Sequence, residues 1–235
     1  VNCIWAPRSA WWAIGVLILA HGSVSAQHIG LGVGVLFPVD APMAVSVPPL
    51  ALRAALFERG NWSVETGFTW YRLSGLSMHE VGFPTSGALI RPFHSFVFPL
   101  TLGYSVGVGE RERIQLSAGG FAAIHSIYEV DDERLAQDWL FSSSQYSRLS
   151  TASSVAQGNT LGWMASVRYE RDIDDRLGYN IGLEWLLGRS PAPIDGRFYG
   201  ESLNGVPVEG EFQLGEAALD YRALGLTLGV QIQIP

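Results

Sequence analysis

Ala223-Leu-Gly-Leu-Thr-Leu-Gly-Val-Gln-Ile-Gln-Ile234 places Leu, Val or Ile at every even position and Ala, Gly, Thr or Gln at every odd one. A period of two is the mark of a strand whose two faces meet different surroundings. Ile29-Gly-Leu-Gly-Val-Gly-Val-Leu-Phe37 follows the same rule near the other end of the chain. If these two segments pair, the sheet between them closes into a barrel.

Six more alternating segments lie between them, at about 47–57, 62–73, 89–108, 113–129, 160–171 and 177–188, making eight in all. Their connections fall into two classes. Segments 58–61, 109–112 and 172–176 are tight turns, whereas 38–46, 74–88, 130–159 and 189–220 are long, and the two classes alternate without exception. A soluble barrel has no reason to gather every long loop at one end. An outer-membrane barrel does, because its periplasmic turns are short and its extracellular loops extended.

The apolar parity carries far more large side chains than the interior of an eight-stranded barrel can hold. It must therefore face lipid. The opposite parity is mostly Gly, Ala, Ser and Thr, with Arg53, Glu65, Gln115, Arg168 and Glu184 among them, which suits a narrow polar lumen. Two aromatic girdles are expected on the lipid face. Trp62, Tyr104, Tyr169 and Tyr179 fall at the short-turn ends of their strands, and Phe37, Trp70, Phe96, Tyr128 and Trp163 fall toward the long-loop ends.

Residues 1–26 read as a signal peptide, with Arg8 ahead of an apolar run from Ala10 to Ala20 and then the small-x-small pattern Val24-Ser25-Ala26. That run is shorter than the roughly 20 residues needed to cross a bilayer as a helix. The barrel domain then occupies 27–235. Cys3, the one cysteine, precedes the run, so the remainder has no thiol for a disulfide, a nucleophile or a metal. All 15 basic residues are Arg, set against 22 carboxylates, so a sequence-independent grip on nucleic acid has no electrostatic basis.

Ser95-Phe-Val-Phe-Pro-Leu-Thr-Leu-Gly-Tyr104, a short turn, Ile114-Gln-Leu-Ser-Ala-Gly-Gly-Phe121 and the closing segment at 224–234 resemble the small outer-membrane β-barrel proteins grouped as the porin family. These are related in architecture to OmpX-like barrels and to the OmpA transmembrane domain. The resemblance implies an all-β fold, an eight-stranded antiparallel up-and-down transmembrane β-barrel in the bacterial outer membrane. Outer-membrane lipids and lipopolysaccharide would surround it, and the barrel-assembly machinery would act during biogenesis.

Arg53 and Glu65 flank the 58–61 turn at nearly equal distances, which puts them side by side or one diagonal step apart. A direct ion pair that plugs the lumen is the favoured reading, and pairing with Arg168 or Glu184 across the lumen is the alternative. His125 and Ser126 adjoin in a strand and so point to opposite faces, which denies them the reach a nucleophile and its base need. His28, His79 and His94 show no ligand spacing, and neither a metal nor a cofactor is expected. Asp131, Asp132, Glu133 and Asp138 read as a solvated acidic loop, and the Ser-rich stretch 142–154 as a mobile tip. Asn204-Gly205, flanked by 197–203 and 206–214, is a strong hairpin signal. That hairpin either projects above the membrane or adds a pair that makes ten strands. Functionally, the reading is a non-enzymatic barrel with a structural or surface-interaction role in adhesion or envelope integrity, with a possible extracellular ligand. The alternatives are a narrow pore for small solutes and a lipid-modifying enzyme.

Overall fold

The computed structural model describes residues 28–39, 50–74, 76, 78–86, 88–156 and 158–233. The signal segment 1–26, most of the 38–46 loop and the last two residues lie outside the described residues. Eight long strands form the barrel: β1 (His28–Pro38), β2 (Leu50–Arg59), β3 (Trp62–Leu73), β5 (Phe93–Gly107), β6 (Glu112–His125), β8 (Thr160–Asp172), β9 (Leu177–Pro191) and β13 (Ala223–Gln233). Each pairs antiparallel with its neighbour in the chain, and β13 pairs with both β9 and β1. Closure is in register along the whole of β1, from His28 opposite Gln233 to Pro38 opposite Ala223. The two segments whose alternation is cleanest are thus the seam.

The short connections are real turns. Gly60 has φ +61° between Arg59 and Trp62, which face each other, a two-residue link that only a residue tolerant of positive φ takes without strain. At the β8–β9 turn the Asp174 carboxylate accepts the N–H groups of Arg176 and Leu177 at 2.7 and 2.8 Å. Those bonds hold the Asp174 carboxyl below its usual range.

Outward alternation runs along the barrel strands, with one change of parity at a bulge in β2 between Ala55 and Phe57. Leu224, Leu226, Leu228, Val230 and Ile232 are all exposed while Ala223 and Gln231 are buried. A continuous apolar wall open to its surroundings is untenable in water and ordinary in lipid. The girdle residues Trp62 and Tyr104 meet edge to face at 4.9 Å between ring centroids, and Tyr169 lies 6.4 Å from Tyr179. At the outer rim Phe37, Trp70 and Trp163 are exposed. Tyr128 departs from the expectation, being 3% exposed in the internal core. β6 ends at His125, and past it the parity flips, so that Ile127 points out and Tyr128 turns in. One irregular residue is enough to exchange the faces of everything after it.

The described parts of the connections 130–159 and 189–220 form regular structure, which also departs from the sequence reading. The stretch 130–159 contains a helix, α1 (Asp132–Ser142), and a strand, β7 (Tyr146–Val155), where a mobile Ser-rich tip was expected. Asp131 caps the helix, accepting the Arg134 N–H, and Asp132 and Glu133 lie in its first turn, where carboxylates oppose the positive end of the helix dipole. The acidic run is therefore a helix start. The hairpin forms as anticipated, β10 (Ile194–Ser202) and β11 (Pro207–Leu214), with Gly205 at φ +74°. It neither joins the barrel nor makes ten strands. β7 pairs with β10 to give a separate sheet in the order β11-β10-β7. Trp139 of α1 packs on that sheet, at 5.3 Å from Phe198 and 5.2 Å from Phe212, and reaches Phe83 of the 74–88 loop at 6.1 Å. Of two short strands, β12 (Ala218–Asp220) pairs beside the outer end of β9 and β4 (Met78–His79) pairs with β12.

Candidate functional site

The lumen has two layers of opposite character. In the lower layer Arg53, Arg113 and Arg168 face Glu65, Glu170 and Glu184, three charges of each sign. Arg53 donates to Glu184 at 2.6 Å, and Arg113 donates to Glu170 at 2.6 Å. Arg168 donates to Glu65, and Gln115 donates to the other Glu65 oxygen at 2.6 Å and to Ser63 at 2.9 Å. Ser117 and Ser166 share a hydrogen bond of 2.7 Å. Buried charges demand partners, and these are matched one to one, with a further hydrogen bond from Gln115 on Glu65.

Arg53 and Glu65 sit one diagonal step apart, as the turn dictates, with Arg53 opposite Gly67 and Glu65 opposite Ala55. The direct pair is not made. Gly67, opposite Arg53, leaves room above it: a Cβ there would lie 3.1 Å from the Arg53 Cδ. The Arg53 side chain passes through that gap to β9, on the far side of the seam. Both Arg53 and Glu65 are therefore satisfied across the lumen, by Glu184 and Arg168 respectively. The sequence reading left out Arg113 and Glu170, although both lie on the lumen parity of their strands. Beside the charges lies a cavity of about 30 Å³, lined in part by Asn180, Thr227 and Gln231, which is the space of about one water molecule.

The upper layer is apolar. Leu36, Tyr71, Val97, Phe121, Met164 and Leu186 from the strands meet Leu76, Met78, Val81, Leu89, Leu135 and Leu219 from the loops in one buried cluster. Phe121 fills the centre, its ring tip 2.4 and 2.9 Å from where side chains at Gly162 and Gly188 would begin. Barrel and outer loops thus share a single core that stoppers the lumen.

His125 stands at the boundary of this cluster. Its Nδ1 lies 3.0 Å from Ser95 Oγ, its Nε2 lies 2.9 Å from Thr160 Oγ1, and Tyr221 stacks on the ring at 5.1 Å. Burial pushes the Tyr221 hydroxyl up from its ordinary range. The Ser95–His125 contact has the atoms of a nucleophile and base, yet Ser95 is fully buried and, among the described residues, the imidazole is held by hydroxyls and not by a carboxylate. Ser126 turns away and accepts the His94 N–H at 3.0 Å. His28 pairs with Glu58 at 2.9 Å and His79 with Asp220 at 3.1 Å. Among the described residues no three His, Asp or Glu side chains converge as metal ligands would.

These features define a class: a small membrane β-barrel of eight strands with a charge-paired, stoppered lumen and a folded outer cap. No family model matches the chain, and no curated protein matches it. Among solved structures, the chain is similar in fold to the outer membrane protein OprG from Pseudomonas aeruginosa, at 13% identity over 91% of this chain and 98% of that one, with a TM-score of 0.51. Looser alignments, with TM-scores of 0.37 and 0.34, join it to Ail, the attachment invasion locus protein of Yersinia pestis (10% identity, 88% of this chain and 95% of that one), and to a mutant of the monoaromatic hydrocarbon channel TodX (10%, 98% and 72%). The likeness to OprG establishes the fold, that of a small outer-membrane barrel.

Proposed function

We propose that this protein is a non-conducting, non-enzymatic outer-membrane barrel whose work is done outside the membrane by the folded cap, as an adhesive or envelope-stabilising surface. The observation that carries this reading is the shared core between loops and barrel, which stoppers the lumen above the paired charges. Eight strands already leave an interior that side chains fill. The cap presents a polar sheet face, with Arg148, Tyr199, Glu201, Glu209 and Glu211 exposed or half-buried on it, and an exposed apolar tip at Phe141, Leu203 and Val206. Such a mixed, raised surface suits contact with another molecule better than passage of one.

Conductance of the purified protein in planar bilayers tests the reading. No discrete openings are expected at physiological salt. Stable unitary currents that survive purification would replace it with the narrow-pore alternative, whose support is the small polar cavity beside Arg53 and Glu184.

A further inference from the structure

An apolar groove of about 1220 Å³ crosses the lipid-facing wall from β3 to β9. Its line follows one row of paired residues, Thr66 opposite Leu100, Leu100 opposite Gly120, Gly120 opposite Trp163 and Trp163 opposite Leu187. Small side chains at Gly120 and Ala122 form the floor, with Phe98 and Leu100 on one side and Trp163 and Leu187 on the other. The row ends at Arg222, one residue before the Ala223 that faces Leu186, with Arg189 beside it.

The row climbs as it crosses. Thr66 lies toward the middle of β3, four residues past Trp62, whereas Trp163 and Leu187 lie near the long-loop ends of β8 and β9. Five interstrand steps of about 4.8 Å, on strands tilted by about 40°, rise by roughly 15 Å, half of a hydrocarbon core of about 30 Å. The groove therefore spans one leaflet, from mid-membrane to the outer rim, which is the reach of one acyl chain.

We infer that this groove is a binding site for a phosphate-bearing anionic lipid of the outer leaflet, its chain lying over Gly120 and its headgroup at Arg189 and Arg222. Lipid tails are as apolar as the wall, so seating a chain gains packing and no hydrophobic energy, and selectivity falls to the headgroup. Arg222 donates to the buried Asp220 at 2.6 Å, which fixes its guanidinium at the rim. Arg189 is held by Glu80 at 3.1 Å in an exposed pair of the kind that contributes little, and a headgroup phosphate offers it a charged, multiply accepting partner instead.

The test uses the protein refolded into phosphatidylcholine vesicles that contain brominated lipid, with Trp163 emission isolated as the difference from Trp163→Phe. Brominated phosphatidylglycerol is expected to quench Trp163 about threefold more effectively than brominated phosphatidylcholine at equal mole fraction. That preference should vanish in Arg189→Gln/Arg222→Gln. It should vanish also in Gly120→Leu, where the new side chain fills the floor and its Cβ meets only the Gly162 carbonyl at 3.5 Å, so that folding is spared. Equal quenching by the two lipids in the unmodified protein, or a preference that survives both variants, overturns the proposal. A response of Trp163 emission to inorganic phosphate in phosphatidylcholine vesicles, with no preference between the brominated lipids, assigns the two guanidiniums to a free anion and overturns the lipid headgroup.

Discussion

Arg168 is sealed inside the barrel with Glu65, so removing either side chain strands a charge in a site with little room for water. Arg168→Met alone should lower stability by about 3–5 kcal/mol in urea unfolding from lipid vesicles, and Arg168→Met/Glu65→Met by clearly less than the sum of the single changes. The same cycle run on Arg53 and Glu65 should come closer to additivity, because they have different direct partners. Glycine offers a second contrast on adjacent residues. A Cβ at Gly119 would sit 2.1 Å from the Leu100 carbonyl oxygen, whereas one at Gly120 points to the lipid side and meets nothing closer than 3.5 Å. Gly119→Ala should therefore cost about 1–3 kcal/mol, and Gly120→Ala should leave the unfolding midpoint nearly unchanged.

Strands and turns make different demands. On β13 the lipid face is set by parity alone, so Leu228→Arg, placing a charge within the apolar wall, should cost roughly 2–4 kcal/mol while Leu228→Phe folds normally. Comparable folding yields in vesicles for the two variants would refute membrane burial of that face. In the β8–β9 turn the depressed Asp174 carboxyl stabilises the fold above its unfolded pKa of about 3.9, and this contribution is lost as pH falls through the lower, folded value. Asp174→Asn should accordingly flatten the fall of the urea midpoint as pH drops below about 4. Where an element's regularity ends, the sequence signal ends too. Tyr128 shares the even parity of β6 but lies past its last paired residue, and nothing in the local pattern announces that the strand stops at His125.

For the whole molecule, the cap and the barrel behave as one body through the shared apolar cluster. Protease added to intact cells should thus cut at the cap's exposed tips, around 143–145 and at Leu203–Gly205, and leave the helix and the three-stranded sheet intact. Rapid cutting throughout 130–159 would show that the cap is not docked. The helix was legible in principle, since Asp131 followed by Asp132, Glu133 and an apolar Leu135, Trp139 and Leu140 is an N-cap ahead of helical spacing. Its Ser-rich continuation obscured it, because composition alone gives Ser142–Ser154 no reason to pack.

The amino-acid sequence by itself determined the barrel: eight alternating segments, the short and long connections, the seam between the first and last strands, and which parity meets lipid. Each of these follows from a period of two and from the simple excess of apolar side chains over the space inside, both of which are local or additive properties. Only the tertiary structure decided how the lumen charges pair, that β7 joins the β10–β11 hairpin, and that the loops close the barrel with an apolar stopper. Those outcomes depend on residues distant in the chain and on the gap above Gly67, which lets a side chain cross the lumen without altering any local pattern.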